Sequence, residues 1–95
     1  MSIVITFDVT AKSGQVDQLK ALFTETLPDT RNFDGCVSVS LYTESDSPDT
    51  VFMVEQWASK AAYENYLGWR QKRGDMEKLM ALVNGEPVIR FFDQV

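Results

Sequence analysis

Alternation of apolar and polar residues divides this chain into four predicted β-strands. The first 10 residues show it most clearly, with one apolar face made of Ile3, Ile5, Phe7 and Val9. A period of two with β-branched and aromatic residues is typical of a strand with a buried face. The pattern recurs along the chain, and we predict strands over residues 3–10, 36–43, 51–57 and 88–92.

Apolar residues at helical spacing occupy the first interval between the strands. They form one stripe made of Val16, Leu19, Leu22, Phe23, Thr26 and Leu27. The Ser13 side chain can accept a free first-turn N–H, whereas Pro28 lacks the N–H that a helix interior needs. We therefore expect the first helix to start at Ser13 and to end or kink near Leu27.

The last long interval predicts two further helices. Ser59 can cap the first of them, and Gly74 is expected to end it. Asp75 can then cap a short additional helix. Before these helices, the polar residues 44–49, which include Pro48, are expected to form the turn between the second and third strands.

The resulting order, β-α-β-β-α-β, predicts a ferredoxin-like α+β fold, with an antiparallel sheet and helices on one face. Ninety-five residues are enough for one domain, which we expect to span residues 2–93. The first and last strands have apolar residues on both faces, although one layer of helices can cover only one face. The uncovered apolar face predicts a homodimer.

Composition limits the chemistry that the chain can perform. The sequence has no histidine and one cysteine, Cys36, so the usual ligands for zinc, copper and haem are missing, and we expect no metal or cofactor. A net charge of −5 disfavours nucleic acid and anionic membranes as partners. An RNA-binding module of the same element order would carry aromatic residues on a basic strand. The strands of this acidic chain hold no such element, which disfavours that class of protein. Because no apolar run approaches ~18 residues, we expect a cytoplasmic protein without a membrane span.

The middle of the chain carries the most specific motifs. The loop Phe33-Asp34-Gly35-Cys36 leads into the predicted hairpin, whose second strand ends in Glu55-Gln56-Trp57 before the helix that Ser59 begins. An aromatic–x–Gly–Cys loop followed by a Glu–x–Trp strand end is similar to the antibiotic biosynthesis monooxygenase family. The resemblance extends in register over about residues 2–93.

This resemblance implies a ferredoxin-like protomer whose sheet pairs with that of a second copy to form a dimeric α/β barrel. Some family members oxygenate anthrols or quinols without metal, flavin or any other cofactor. Others degrade haem and need a histidine ligand, which this chain lacks. The resemblance also implies that Trp57 is the pocket tryptophan, able to stack on a substrate ring and to donate its indole N–H.

Three residues are candidates for catalysis, namely Trp57, Glu55 and Tyr63. Glu55 lies two residues before Trp57 and so on the same sheet face, where burial would raise its pKa and make it a proton acceptor. Tyr63 and Tyr66 are three apart on a helix and can present phenolic donors to one cavity. The alternative for each of these residues is an ordinary structural role in the core.

The candidates for substrate binding are Tyr66, Phe7, Phe23 and Arg73. The two phenylalanines can act as hydrophobic walls, and the alternative is plain core. Arg73, together with Arg70, can stabilise an anionic substrate at the mouth of a pocket. The alternative for these arginines and Lys72 is a solvated helix face.

These observations together predict a cofactor-independent monooxygenase that acts on a small aromatic quinol or polyketide-type substrate. The predicted partners are a second copy of the chain and a small aromatic molecule. One alternative is a non-catalytic barrel that binds a small apolar ligand in the same cleft. Another is an isomerase or dehydratase of the same fold that uses Glu55 as its base.

Overall fold

The predicted order of strands and helices is confirmed in a computed structural model, which describes residues 2–95. The elements are β1 (Ile3–Thr10), α1 (Val16–Arg31), β2 (Cys36–Glu44), β3 (Ser47–Trp57), α2 (Lys60–Arg73), α3 (Asp75–Met80) and β4 (Val88–Asp93). All neighbouring strands are antiparallel, and their order in the sheet is β2-β3-β1-β4. This is the ferredoxin-like α+β fold, with β1 and β3 at the centre of the sheet.

The helices pack on one face of the sheet and enclose the core between the two layers. The core residues of the central strands are Ile5, Phe7 and Val9 on β1, and Val51, Met53, Glu55 and Trp57 on β3. Helix α1 adds Leu19, Phe23 and Leu27. These positions follow from period-two alternation on the strands and from the predicted apolar stripe on the helix. Glu55 is the one charged strand residue that this packing buries within residues 2–95.

The opposite face of the sheet also carries apolar side chains, and it remains accessible in the single chain. Val4 on β1 pairs with Phe92 on β4, and Val54 on β3 lies on the same side. Phe92 is 38 % exposed, and Tyr42 at the β2 edge is 55 % exposed. A sheet with two apolar faces and one helical layer is therefore present, as the sequence pattern predicts.

One of the three predicted helix caps is confirmed and two are wrong. The Ser59 hydroxyl accepts the backbone N–H of Ala62 at 3.1 Å, as expected. Helix α1 instead follows Gln15, which provides no side-chain cap, and Ser13 lies in the preceding turn. Asp75 is the first residue of α3 rather than its cap, because its carboxylate binds arginine side chains. At Asp75, the arginine side chains thus take the oxygen that was expected to cap the helix.

Two prolines lie inside regular elements, although Pro28 was expected to end or kink the first helix and Pro48 to lie in the turn between the middle strands. Helix α1 continues through Pro28 to Arg31, because Thr30 in its last turn is buried against α2 and the packing outweighs one missing hydrogen bond. In the hairpin, the turn is only two residues long, and Pro48 belongs to β3. A register shift between β2 and β3 at Pro48 removes the need for its N–H, since the ladder is irregular there.

Candidate functional site

A cavity of about 70 Å³ lies between the core face of the sheet and the three helices. Its apolar walls are formed by Phe7, Leu22, Phe23, Leu27, Met53, Leu67, Met76 and Leu79. Its polar lining comes from Thr26, Thr30, Glu55, Tyr63, Tyr66, Arg70 and Asp75. An apolar cavity with a few convergent polar groups is the usual form of a small-molecule site.

Glu55 is the central charged group of this site. Its cross-strand neighbours are Ile5 and Val39, both of which are buried, so the carboxyl emerges from an apolar part of the sheet. The residue is 3 % exposed, and its Oε1 accepts the indole N–H of Trp57 at 3.1 Å. Burial raises the pKa of Glu55, and the Trp57 hydrogen bond only partly opposes that rise. A buried carboxyl with a raised pKa and access to a cavity is a candidate proton acceptor or donor.

Outside the Arg70–Asp75 ion pair, two polar side-chain groups of the cavity wall have no hydrogen-bond partner among residues 2–95. One is the second carboxyl oxygen of Glu55, and the other is the Tyr63 hydroxyl. All fully enclosed polar side-chain atoms in this part of the chain are hydrogen-bonded, so open space reaches both groups. Burial and the nearby Glu55 charge raise the pKa of Tyr63, which keeps its hydroxyl protonated. These two groups are therefore available to a ligand.

Tyr66 lines the same cavity, but its hydroxyl is engaged by protein groups. The Thr30 hydroxyl donates to the Thr26 carbonyl at 3.3 Å, so the Tyr66 hydroxyl donates to the Thr30 oxygen at 2.8 Å. The Tyr66 oxygen in turn accepts Arg70 Nε at 2.9 Å. Burial raises the pKa of Tyr66 despite these hydrogen bonds. Tyr66 thus contributes its ring to the wall rather than a free hydroxyl.

Arg70 is buried, so the alternative that it lies on a solvated helix face is wrong. Besides Tyr66, its guanidinium donates to the Thr26 carbonyl, the Thr30 hydroxyl and the Asp75 carboxylate, each at 2.9 Å. Burial alone lowers the pKa of Arg70, but the hydrogen bonds to Tyr66 and Asp75 outweigh it, and the pKa is raised. Because each of its three nitrogens donates to a protein group, Arg70 connects α1, α2 and α3, and four of its five N–H groups are engaged within the protein.

Trp57 is close to the cavity without forming its wall. It is fully buried, and its ring centroid lies 5.6 Å from that of Tyr63 and 5.0 Å from that of Tyr66. Its indole N–H is directed to Glu55. The predicted stacking of Trp57 on a substrate therefore does not match this geometry, in which Trp57 supports the residues that do line the cavity.

The remaining predicted residues divide between the cavity and the surface. Phe7 and Phe23 both line the cavity and meet edge to face, with centroids 6.4 Å apart. Arg73 lies outside it: its side chain is 49 % exposed, stacks on Trp69 and pairs with Asp75 at 3.2 Å. The structure thus places Glu55, Tyr63, Tyr66, Phe7 and Phe23 around one cavity and leaves Arg73 on the surface.

Three polar residues of the cavity wall, Thr26, Thr30 and Asp75, were not predicted as site residues from the sequence. Thr30 follows Phe23 by seven positions and Leu27 by three, so it continues the apolar stripe of α1, and this spacing was an available signal. Asp75 has no comparable signal, because its pairing with Arg70 depends on the turn at Gly74 that joins α2 to α3.

Comparison with known proteins identifies the family. The family model described as antibiotic biosynthesis monooxygenase matches residues 2–71, well over half of the chain. The chain belongs to the antibiotic biosynthesis monooxygenase family. The match includes the Gly35 loop, the hairpin with Glu55 and Trp57, and most of α2, so the resemblance inferred from these motifs is confirmed.

Solved structures with this fold include other members of the antibiotic biosynthesis monooxygenase group. One crystal structure with that description aligns at a TM-score of 0.87 and 20 % identity, covering 100 % of this chain and 99 % of the other. A conserved protein from Methanosarcina mazei Go1 aligns at 0.90 and 17 % identity, covering 100 % and 94 %. A variant of SnoaB, a cofactor-independent oxygenase from Streptomyces nogalater, aligns at 0.83 and 16 % identity, covering 98 % and 92 %. At these identities the alignments establish a shared fold.

Three further observations describe this member of the monooxygenase family. A sequence search of curated proteins found no match. Within residues 2–95, no helix has the length and apolar character needed to cross a membrane. The same residues bring together no group of three or more histidine, cysteine, aspartate or glutamate side chains that could bind a metal ion.

Proposed function

We propose that this chain is a cofactor-independent monooxygenase that transfers one oxygen atom from O₂ to a small hydroxy-aromatic substrate, such as a quinol or a polyketide-type phenol. The observation that carries the proposal is the Glu55 carboxyl, which is buried, has a raised pKa and presents a free oxygen to an aromatic cavity. Family membership and the oxygenase activity named for the similar SnoaB structure support the same reaction class.

The substrate itself supplies the electrons in this reaction. The Glu55 carboxylate accepts the phenolic proton, and the electron-rich phenolate passes one electron to O₂, giving an aryloxyl radical and superoxide. The two recombine at a ring carbon that bears hydrogen, and protonation by Glu55 completes a hydroperoxide. Its O–O bond then breaks with loss of the ring hydrogen, leaving a quinone carbonyl and releasing water. No external reductant is consumed, because the substrate supplies all the electrons that reduce O₂, and Glu55 is the acid and base.

The neighbouring residues have supporting roles in this proposal. Tyr63 donates its free hydroxyl to the developing phenolate oxygen, which stabilises the negative charge. Trp57 fixes the Glu55 carboxyl through the 3.1 Å hydrogen bond and acts as a positioning residue. Tyr66, Phe7 and Phe23 provide the aromatic walls that exclude water from the reacting atoms.

The functional unit that we propose is a homodimer formed through the outer face of the sheet. Val4, Val54 and Phe92 lie on that face, opposite the helices, and Phe92 is 38 % exposed in the single chain. A second copy would cover this surface, and the sheets of both copies would then be buried on both sides, as in a dimeric α/β barrel.

Oxygen uptake with methylhydroquinone tests the enzymatic part of the proposal. We expect O₂ consumption well above the autoxidation rate, and isotopically labelled O₂ should place one labelled atom in the quinone product. Glu55→Gln should lower the rate by about 100-fold or more, because general acid–base catalysis contributes roughly 10²–10⁴. Glu64→Gln, an equivalent change at an exposed position of α2, should leave the rate unchanged.

The same assay distinguishes the alternatives. Uptake that stays at the autoxidation rate while the quinol binds would support a binding protein. Conversion of the ligand without O₂ uptake would support an isomerase or dehydratase that uses Glu55 as its base. Either result would reject the monooxygenase.

A further inference from the structure

We infer that the cavity selects neutral, single-ring aromatic molecules through one hydroxyl group, which donates to Glu55 and accepts from Tyr63. As a statement about the substrate, this inference rests on the proposed function. As a statement about binding, it rests on three features of the cavity: its unpaired polar groups, its charge balance and its size.

The unpaired groups define which hydrogen bonds a ligand can make. The side-chain polar atoms of Thr30, Tyr66 and Arg70 are engaged with one another or with Thr26 and Asp75. Outside the Arg70–Asp75 ion pair, Glu55 and Tyr63 are left, one with a free carboxyl oxygen and the other with a free hydroxyl. A ligand hydroxyl is both donor and acceptor, so a single hydroxyl can donate to Glu55 and accept from Tyr63.

The charge balance of the cavity disfavours anions. The one buried cation among residues 2–95, Arg70, is neutralised by Asp75 at 2.9 Å and donates four of its five N–H groups to protein oxygens. Glu55 adds a carboxyl without any cationic partner among its hydrogen bonds. A carboxylate ligand would therefore lose its hydration and gain no opposite charge in return, which is costly. This reverses the expectation of an anionic substrate bound by Arg73.

The size of the cavity favours one ring over several. Its volume of about 70 Å³ is well below the ~300–1,000 Å³ of sites that enclose drug-sized ligands. A buried apolar cavity of ~150 Å³ accommodates benzene. The unbranched side chains of Met53 and Met76 lie in the wall and can change rotamer to admit a single ring. A second fused ring would require the helices themselves to move.

Titration of methionine-methyl-labelled protein with redox-stable probes tests this inference. Phenol should shift the Met53 and Met76 methyl signals saturably and leave that of Met80, which is 41 % exposed and outside the cavity, unchanged. Toluene serves as the probe without a hydroxyl, benzoate as the anion and 1-naphthol as the two-ring probe. We expect benzoate not to bind and 1-naphthol to bind more weakly than phenol.

Paired variants isolate the hydroxyl contacts. The preference for phenol over toluene should fall by about tenfold in Glu55→Leu and also fall in Tyr63→Phe, since one hydrogen bond to a ligand contributes roughly that factor. Glu64→Leu, an exposed control on α2, should retain the wild-type preference. Unchanged preference in both cavity variants, binding of benzoate as tight as that of phenol, or tighter binding of 1-naphthol would overturn the inference.

The outcome of this binding experiment is independent of the outcome of the oxygen-uptake assay. If phenol selectivity is found and methylhydroquinone is not oxygenated, the site is a hydroxy-aromatic binding site and the monooxygenase proposal fails. If oxygenation is found without phenol selectivity, the activity stands and this account of recognition fails.

Discussion

At the scale of single residues, Glu55 is an ionisable side chain that the fold buries. Its immediate surroundings are apolar, and its only protein hydrogen bond among residues 2–95 is the neutral N–H of Trp57. A buried carboxyl without a cationic partner destabilises a fold, and an apolar residue at this position would give a more stable protein. The alternation of β3 indicated its face in advance, whereas its lack of a cationic hydrogen-bond partner among residues 2–95 depends on which residues surround it in three dimensions.

The pH dependence of stability tests the state of Glu55. Its folded-state pKa is raised above the ordinary value of 4.5, so its contribution to stability is fully present below pH 4.5 and is lost as the pH rises through the folded pKa. The titratable side chains that face it are Tyr63 and Tyr66 on α2 and Cys36 on β2, and none is a cation. Glu55→Gln should therefore be more stable than wild type at pH 8, on the order of 1 kcal/mol or more.

Urea denaturation of both proteins from pH 5 to pH 8 provides the measurement. The stability advantage of Glu55→Gln over wild type should grow with pH, while Glu64→Gln at an exposed position should give a nearly constant difference. An advantage that is absent or shrinks as the pH rises would show that the Glu55 carboxyl is stabilised when charged.

At the scale of elements, the loop before β2 depends on close contact with α2. Gly35 has φ +92°, and an added Cβ would lie 2.5 Å from the Cβ of Ala62. The Gly35 carbonyl also accepts the Ala58 N–H at 2.8 Å, which fixes the loop beside the start of α2. The glycine in the aromatic–x–Gly–Cys motif is thus explained by backbone conformation and helix proximity, and only the first of these has a purely local cause.

Replacing this glycine separates the two effects. Gly35→Ala should destabilise the fold by about 3 kcal/mol or more, since positive φ costs about 1–2 kcal/mol and overpacking costs a further 1–3. Gly85→Ala, at φ +81° with open space around the Cβ position, should lose only the backbone component. Equal losses in thermal or urea unfolding would contradict the steric argument, and Ala62→Gly combined with Gly35→Ala should recover part of the loss.

At the scale of the whole molecule, the two adjacent phenylalanines of β4 occupy opposite faces of the sheet. Phe91 lies on the helix side, where its ring meets that of Tyr63 at 5.8 Å, and Phe92 pairs with Val4 and shares the outer face. Phe92→Asp should therefore dissociate the proposed dimer into folded monomers. Phe91→Asp, the same change one residue earlier, should lower stability through the lost aromatic contact and leave the dimer formed.

Sedimentation equilibrium measures this difference. Wild type and Phe91→Asp should give about twice the chain mass of 10.8 kDa, and Phe92→Asp should give the chain mass itself with an unchanged far-ultraviolet spectrum. A wild-type monomer at high micromolar concentration, or a Phe92→Asp variant that remains dimeric, would reject the outer face as the interface.

The sequence alone determined the element order, the strand faces, the family and the grouping of Glu55, Tyr63 and Tyr66. These features follow from local periodicity and motif spacing, which set the direction in which each side chain leaves its element. Only the tertiary structure decided which residues pack against each face. Arg70 is buried while Arg73 on the same helix is exposed, and α1 continues through Pro28. Trp57 donates to Glu55 instead of lining the cavity. The physical reason is that burial and hydrogen bonding depend on contacts between distant segments, such as the 2.9 Å contact from Arg70 to the Thr26 carbonyl, and local sequence patterns do not encode such contacts.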